Sequence, residues 1–337
     1  VQSAARHYFN TNASNLDLRQ SALLAGLVKN PTGYDPTNSP DAALERRNVV
    51  LERMAQLNVI SHEKATRTEK AGLGLHVIPA KNGCLNSRAP FFCDYAVNWL
   101  LTDPRLGETV EDRKKLLKSG GLIIHTTIDL DDQEAADRAV RDHVAQRDQA
   151  VGAMAIVQPG TGAVLALAQS RPMGRDEADG QTFLNYTVPT KYGDSAGFQA
   201  GSTFKPFVLS AAVNQGVPLS TTLNAPQTMT IPQDEFTNCP GAGNFAGEWT
   251  VSSSTSSGPM DLYRGTRESV NTFYAMLERV TGVCEPFNIA KKLGVELTDP
   301  TGDSHGYGAE RVPTFTLGIA NASPLEMAEA YATFGAR

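Results

Sequence analysis

Gly201-Ser202-Thr203-Phe204-Lys205-Pro206-Phe207, "GSTFKPF", puts a lysine three residues after a serine and a proline directly after the lysine. Proline has no N–H, and its ring clashes with the carbonyl four residues back, so a helix holds it only in the first turn. The residues around and after it read as helix, with Phe204, Phe207, Val208, Ala211 and Ala212 on one face. Pro206 therefore fixes the start of that helix near Ser202. Ser202 then stands at the positive end of the helix, with Lys205 on the same face one turn on. Gly201 permits a tight turn and close approach of a ligand. This is the arrangement of an activated serine, whose alkoxide the helix N-terminus stabilises and whose proton a nearby base removes. That base has to be neutral lysine. Moving a lysine pKa from ~10.4 to about 7 costs roughly 4–5 kcal/mol, which burial and a polar network must supply.

A second Ser-x-x-Lys, Ser61 to Lys64 in "SHEK", tests the pattern. It opens the charged helix "HEKATRTEKAG", so Ser61 reads as an N-cap and Lys64 as a solvated side chain. Lys205, flanked by Phe204, Pro206 and Phe207, is placed for burial. A reactive lysine also needs a partner that moves protons. "ESVN" offers Ser269 and Asn271, 67 and 69 residues after Ser202. Residues two apart do not share a helix face, so both serve one site only from a turn. The helix "TFYAMLERV" that follows supplies one. The competing reading is a plain N-cap without chemistry. The position at the head of a helix, downstream of Ser202 and Lys205, favours the site.

The rest of the chain predicts an α+β protein. Residues 1–75 read as helices: "NLDLRQSALLAGLVKNP" stops at Asn30-Pro31. Ser39 with Pro40 opens "DAALERRNVVLERMAQL", whose apolar face runs through Leu44, Val49, Leu51 and Met54. Residues 76–120 read as a linker region. From residue 121, "LIIHTTID" reads as a strand and "LDDQEAADRAVRDHVAQRDQA" as an amphipathic helix. "AMAIVQPGTGAVLALA" is a hairpin whose strands, apolar on both faces, are expected in the centre of a covered sheet. Residues 220–265 read as loops and short strands anchored by Ile231, Phe245, Trp249 and Val251. "NTFYAMLERVTG" is a helix ending at Gly282. "SPLEMAEAYATFGAR" starts with Ser323 as N-cap and Pro324 in the first turn.

The 337 residues are 41% hydrophobic and 20% charged, with a net charge of −6, which reads as globular protein with room for two or more domains. There is no dense Lys/Arg run, so no nucleic-acid partner is expected. No apolar run reaches the ~18–20 residues that span a bilayer. The sequence begins at Val1, which predicts a piece of a longer protein whose anchor or export signal lies upstream. The six histidines and four cysteines form no zinc pattern, so no metal is expected. The cysteines read either as buried thiols or as bridges. Cys84 and Cys93 flank the loop-like "CLNSRAPFFC", which would leave Cys239 and Cys284 to pair, one of three connectivities. Bridges would imply an oxidising compartment.

These residues resemble the penicillin-binding proteins and serine β-lactamases, with their S-x-x-K, S-D-N and K-T-G motifs, the middle one here being Ser-Val-Asn. More specifically, the chain is similar to class A, bifunctional penicillin-binding proteins. "GLIIHTTIDLDDQEAADRAV", "GAMAIVQPGTGAVLALA", "GSTFKPF" and "SPLEMAEAYATFG" match the transpeptidase part in order. "AARHYFNTNASNLDLRQSALLAGLVKNPTGYDP" and "ALERRNVVLERM" resemble the closing third of the glycosyltransferase domain. The cysteine loop is similar to that of actinobacterial members.

The resemblance implies residues 1–75 as a helical glycosyltransferase remnant, 76–120 as linker, and 121–337 as a transpeptidase domain of antiparallel sheet flanked by helices. It implies a D,D-transpeptidase that crosslinks peptidoglycan at the outer face of the bacterial membrane, anchored upstream of Val1. Its partners would be stem peptides, lipid II-derived glycan strands and β-lactams, with no cofactor. Ser202 would be the nucleophile, Lys205 the base and Ser269 a proton carrier. Asn271 would hold the substrate amide, and Gly201 and the Ser202 N–H would border the oxyanion hole. The family's glycosyltransferase glutamates would precede Val1, so no glycosyltransferase activity is expected of these residues. No Lys-Thr-Gly or Lys-Ser-Gly occurs in them, so the third motif has no counterpart here. A D,D-carboxypeptidase, a β-lactamase and a non-catalytic β-lactam sensor or scaffold are the alternatives.

Overall fold

The computed structural model describes residues 1–78, 83–119, 121–297 and 310–336. The chain divides into two compact units, Val1–Asn82 and Gly83–Arg337.

The first unit is helical: α1 (Gln2–Phe9), α2 (Leu18–Leu27), α3 (Pro40–Gln56) and α4 (His62–Glu69). Asp17 opens α2 with a capping box to Gln20. Helix α3 starts at Pro40 as the sequence predicts, but the Ser39 hydroxyl makes no cap hydrogen bond. The buried face of α3 also differs from the predicted one. It is the i+4 series Ala43, Arg47, Leu51 and Ala55, and Val49 is exposed. An arginine enters that face because its guanidinium donates to the carbonyls of Glu69, Ala71 and Gly72, the orphan acceptors at the end of α4. Ser61 caps α4 by accepting the Lys64 N–H at 3.2 Å, and Lys64 is exposed.

The second unit begins with α5 (Pro90–Thr102), α6 (Val110–Ser119) and α7 (Leu130–His143). Helices α5 and α6, which the sequence assigns to a linker, are part of it. Cys84 and Cys93 are bridged at the start of α5. Strands β1 (Ala153–Val157) and β2 (Val164–Gln169) form the expected antiparallel hairpin. Among the described residues they form a sheet of two, not a wider one. β2 is largely buried, but β1 is only half-buried. The far edge of β2 is satisfied by side chains in place of a strand: Gln133 of α7 both donates to and accepts from the Leu167 backbone at 3.0 Å. That leaves no strand position for "LIIHTTID". It runs extended with Ile123 84% exposed, touching β2 only through the Asp129 N–H to Leu165 O and the Thr127 hydroxyl to Val164 O.

Then follow the short α8 (Thr190–Gly193), β3 (Phe198–Gln199), α9 (Lys205–Asn214), β4 (Leu223–Ala225), β5 (Thr228–Pro232), β6 (Glu248–Ser252) and β7 (Gly258–Met260). The unit continues with α10 (Leu262–Arg267), α11 (Asn271–Thr281), α12 (Cys284–Lys292), β8 (Asn321–Ala322) and α13 (Pro324–Gly335). β3 pairs with β8, β4 with β7 and β5 with β6, all antiparallel. Ile231, Trp249 and Val251 point inward, as alternation along these strands requires. Helix α9 packs against α11 and α12. Phe204 and Phe207 lie at its head in an aromatic cluster with Phe315 and Phe287. Ser323 caps α13 with a capping box to Glu326. Cys239 is bridged to Cys284.

Candidate active site

The turn that carries Ser202 is a 3-10 helix, Gly201–Phe204, which passes into α9 at Lys205. Pro206 occupies the first turn of α9, as its missing N–H demands. The start is tighter than an α-helical reading predicts, and Gly201 has φ of +60°, a conformation that favours glycine. Gly201 N–H donates to Gly318 O at 2.9 Å and Ala200 N–H to Ala320 O at 3.0 Å, so the turn is tied down just before the serine. The fully buried Phe204 and Phe207 anchor it from below, while Ser202 is exposed.

Lys205 points the other way and is 3% exposed. Its ammonium meets three acceptors: Ser269 O at 2.6 Å, Ser269 Oγ at 2.9 Å and Asn271 Oδ1 at 2.8 Å. The Tyr274 ring lies 5.4 Å from Nζ and favours the charged form. Burial opposes this and prevails, bringing the lysine pKa down to about 8.

Ser269 and Asn271 reach one amine because a turn separates them. Ser269 has φ of +52°, a left-handed conformation costing a non-glycine residue roughly 1–2 kcal/mol. It closes α10, and α11 begins two residues later. Neither side chain caps α11, whose N-cap is Val270 with no side-chain hydrogen bond. Both face Lys205. The Asn271 amide is oriented by Nδ2 donating to Ser252 O at 3.1 Å, which leaves Oδ1 for the lysine.

Two supporting groups escape the sequence reading. Tyr331 of α13 donates its hydroxyl to Thr203 O at 2.9 Å, holding the serine turn from the outside. Glu278 of α11 is fully buried and accepts the Thr316 N–H. The available signal for Glu278 is its place seven residues after Asn271, on the buried stripe of an amphipathic helix where a carboxylate is costly.

A family model described as the penicillin binding protein transpeptidase domain matches residues 152–337. The chain belongs to this penicillin-binding family. A second model, transglycosylase, matches residues 1–55, so the pairing is that of the class A, bifunctional penicillin-binding proteins. Penicillin-binding protein 2D of Bacillus subtilis is 28% identical over 334 residues, covering 98% of this chain and 43% of that protein. Penicillin-binding protein 1A of Mycobacterium tuberculosis is 27% identical over 347 residues, covering 100% and 38%. The chain thus spans about two fifths of the length of these curated relatives. The crystal structure of penicillin-binding protein 1A from Haemophilus influenzae matches with a TM-score of 0.58 at 20% identity, over 98% of this chain and 58% of that one, and shares the fold.

Proposed function

We propose that this protein is a D,D-transpeptidase of peptidoglycan, working at the extracytoplasmic face of the bacterial membrane and trapped by β-lactams. The observation that carries the reading is a buried lysine, one turn from an exposed serine, whose amine is held by Ser269 and Asn271. Family membership supports the class of chemistry.

Counting protons assigns the roles. An ammonium has three donors, and Lys205 has three acceptors. Ser269 O and the oriented Asn271 Oδ1 can only accept. The Ser269 hydroxyl can reverse. When Lys205 is neutral, its two N–H groups keep the fixed acceptors and its lone pair faces the Ser269 O–H. Ser202 Oγ attacks the carbonyl between two terminal D-alanines, and its proton ends on Lys205. Lys205 returns the proton through Ser269 to the leaving D-alanine nitrogen as the peptide C–N bond breaks. An amine from a second stem peptide then attacks the Ser202 ester, forms the crosslink and restores the serine proton. The Ser202 N–H, beside Gly201 at the start of the helix, is the candidate oxyanion donor.

The test is product analysis. A protein that continues this chain through a Lys-Thr-Gly or Lys-Ser-Gly segment is given a stem-peptide donor and an amine acceptor. The expected products are free D-alanine and an acceptor-linked peptide in equal amounts. D-alanine release with water as the sole acceptor would replace the reading with a carboxypeptidase. No release with stable penicillin binding would replace it with a sensor.

A further inference from the structure

We propose that Glu278 is a positioning residue: through the Thr316 turn it fixes the Ser202 turn, so that one helix, α11, sets the serine against the lysine. The inference rests on Ser202 being the nucleophile and extends that reading to a residue remote from the substrate.

The path is continuous. Glu278 is 0% exposed, and no cation among the described residues pairs with it. Its Oε2 accepts the Thr316 N–H at 3.2 Å. Thr316, itself 0% exposed, sits in the 3-10 turn Phe315–Leu317, and Gly318 follows in the left-handed region at φ +62°. The Gly318 carbonyl receives the Gly201 N–H, and the two residues are pressed so close that a Cβ on Gly318 would overlap Gly201 O. No side chain can be added there without moving the serine turn. Two turns back along α11, Asn271 holds Lys205. The two ends of one rigid element therefore grip the two halves of the reacting pair. A leucine would fill the site of Glu278 at lower cost, because a buried carboxyl is penalised by desolvation. What the carboxyl adds is an acceptor for Thr316 N–H, a backbone donor otherwise orphaned in the core. Burial holds the group in its neutral acid form.

The role calls for an acceptor of the right reach, not for a charge. Glu278→Gln keeps the reach and an amide oxygen. Glu278→Asp shortens it by one methylene. Glu278→Met fills the space without an acceptor. Two measurements separate the outcomes: the acylation rate constant at saturating penicillin against the non-covalent dissociation constant, and amide hydrogen exchange at Thr316 and Gly201 against the β1–β2 hairpin as internal reference.

The Gln variant is expected to acylate within about three-fold of the parent. The Asp and Met variants are expected to lose about 10–100-fold in the rate constant with the dissociation constant held within about two-fold. Exchange at Thr316 and Gly201 is expected to rise in Asp and Met alone, the hairpin staying unchanged. The Asp variant, the milder change, carries the test if Met does not fold. A Gln variant as impaired as Met, or Asp and Met acylating like the parent, overturns the proposal. If the parent is not acylated on Ser202 at all, the transpeptidase reading fails separately, and the exchange pattern still decides whether Glu278 holds the turn.

Discussion

A lysine with a pKa of about 8 is neutral in about a tenth of molecules at pH 7, where an unperturbed one is neutral in about one in three thousand. Burial of Lys205 thus raises the working base by more than two orders of magnitude. The sign is set by that depression. The folded protein releases this proton near pH 8, whereas the unfolded chain keeps it to about 10.5. Acylation is therefore expected to rise with pH through about 8 and then level off, and this group's contribution to stability to rise between about 8 and 10.5. Arginine keeps the charge but does not deprotonate, so Lys205→Arg is expected to bind penicillin and acylate about 10²–10⁴ more slowly, without the pH rise. A variant within a few-fold of the parent would make Lys205 an electrostatic aid only. Ser202 and Lys205 are legible in the sequence because Pro206 marks the helix start locally. Ser269 and Asn271 are half legible: the spacing demands a turn, but only the left-handed Ser269 distinguishes a site from a cap. Tyr331 and Glu278 are hidden because their partners, Thr203 and Thr316, are backbone groups brought near by tertiary packing.

Elements whose ends are marked by side-chain chemistry follow the sequence closely: α4 from Ser61, α9 from Pro206, α11 to Gly282, α13 from Ser323. Those decided by distant neighbours do not. "LIIHTTID" has strand propensity but no free edge to pair with, since Gln133 occupies that of β2. The buried face of α3 is set by the end of α4, which recruits Arg47. The two disulfides differ in what they constrain. Cys84 and Cys93 are 9 residues apart, whereas Cys239 and Cys284 are 45 apart and enclose β6, β7, α10, Ser269 and α11. Loop entropy gives about 2.6 kcal/mol for the first and about 4 for the second. Replacing each pair by alanine and measuring urea unfolding is expected to show the larger loss for Cys239 and Cys284. The reverse order would mean that the short bridge holds α5 in a way loop length does not capture.

At the scale of the whole chain, the α+β class and the order of its parts are readable because each part carries its own local signals and its own family likeness, at residues 1–55 and 152–337. The compact boundary at Asn82 and Gly83 is not, since α5 and α6 are polar enough on one side to pass for linker until their partners are known. Both Ser-x-x-Lys sequences lie at helix starts, one in each unit, and the account distinguishes them by burial of the lysine alone: Lys205 is enclosed and Lys64 is not. The most direct test is therefore peptide-level mass spectrometry after exposure to benzylpenicillin, on a protein that continues this chain through a Lys-Thr-Gly or Lys-Ser-Gly segment. The account predicts one covalent adduct, on the peptide that holds Ser202, lost in Ser202→Ala and retained in Ser61→Ala. An adduct that persists in Ser202→Ala, or that maps to any other serine, would contradict it.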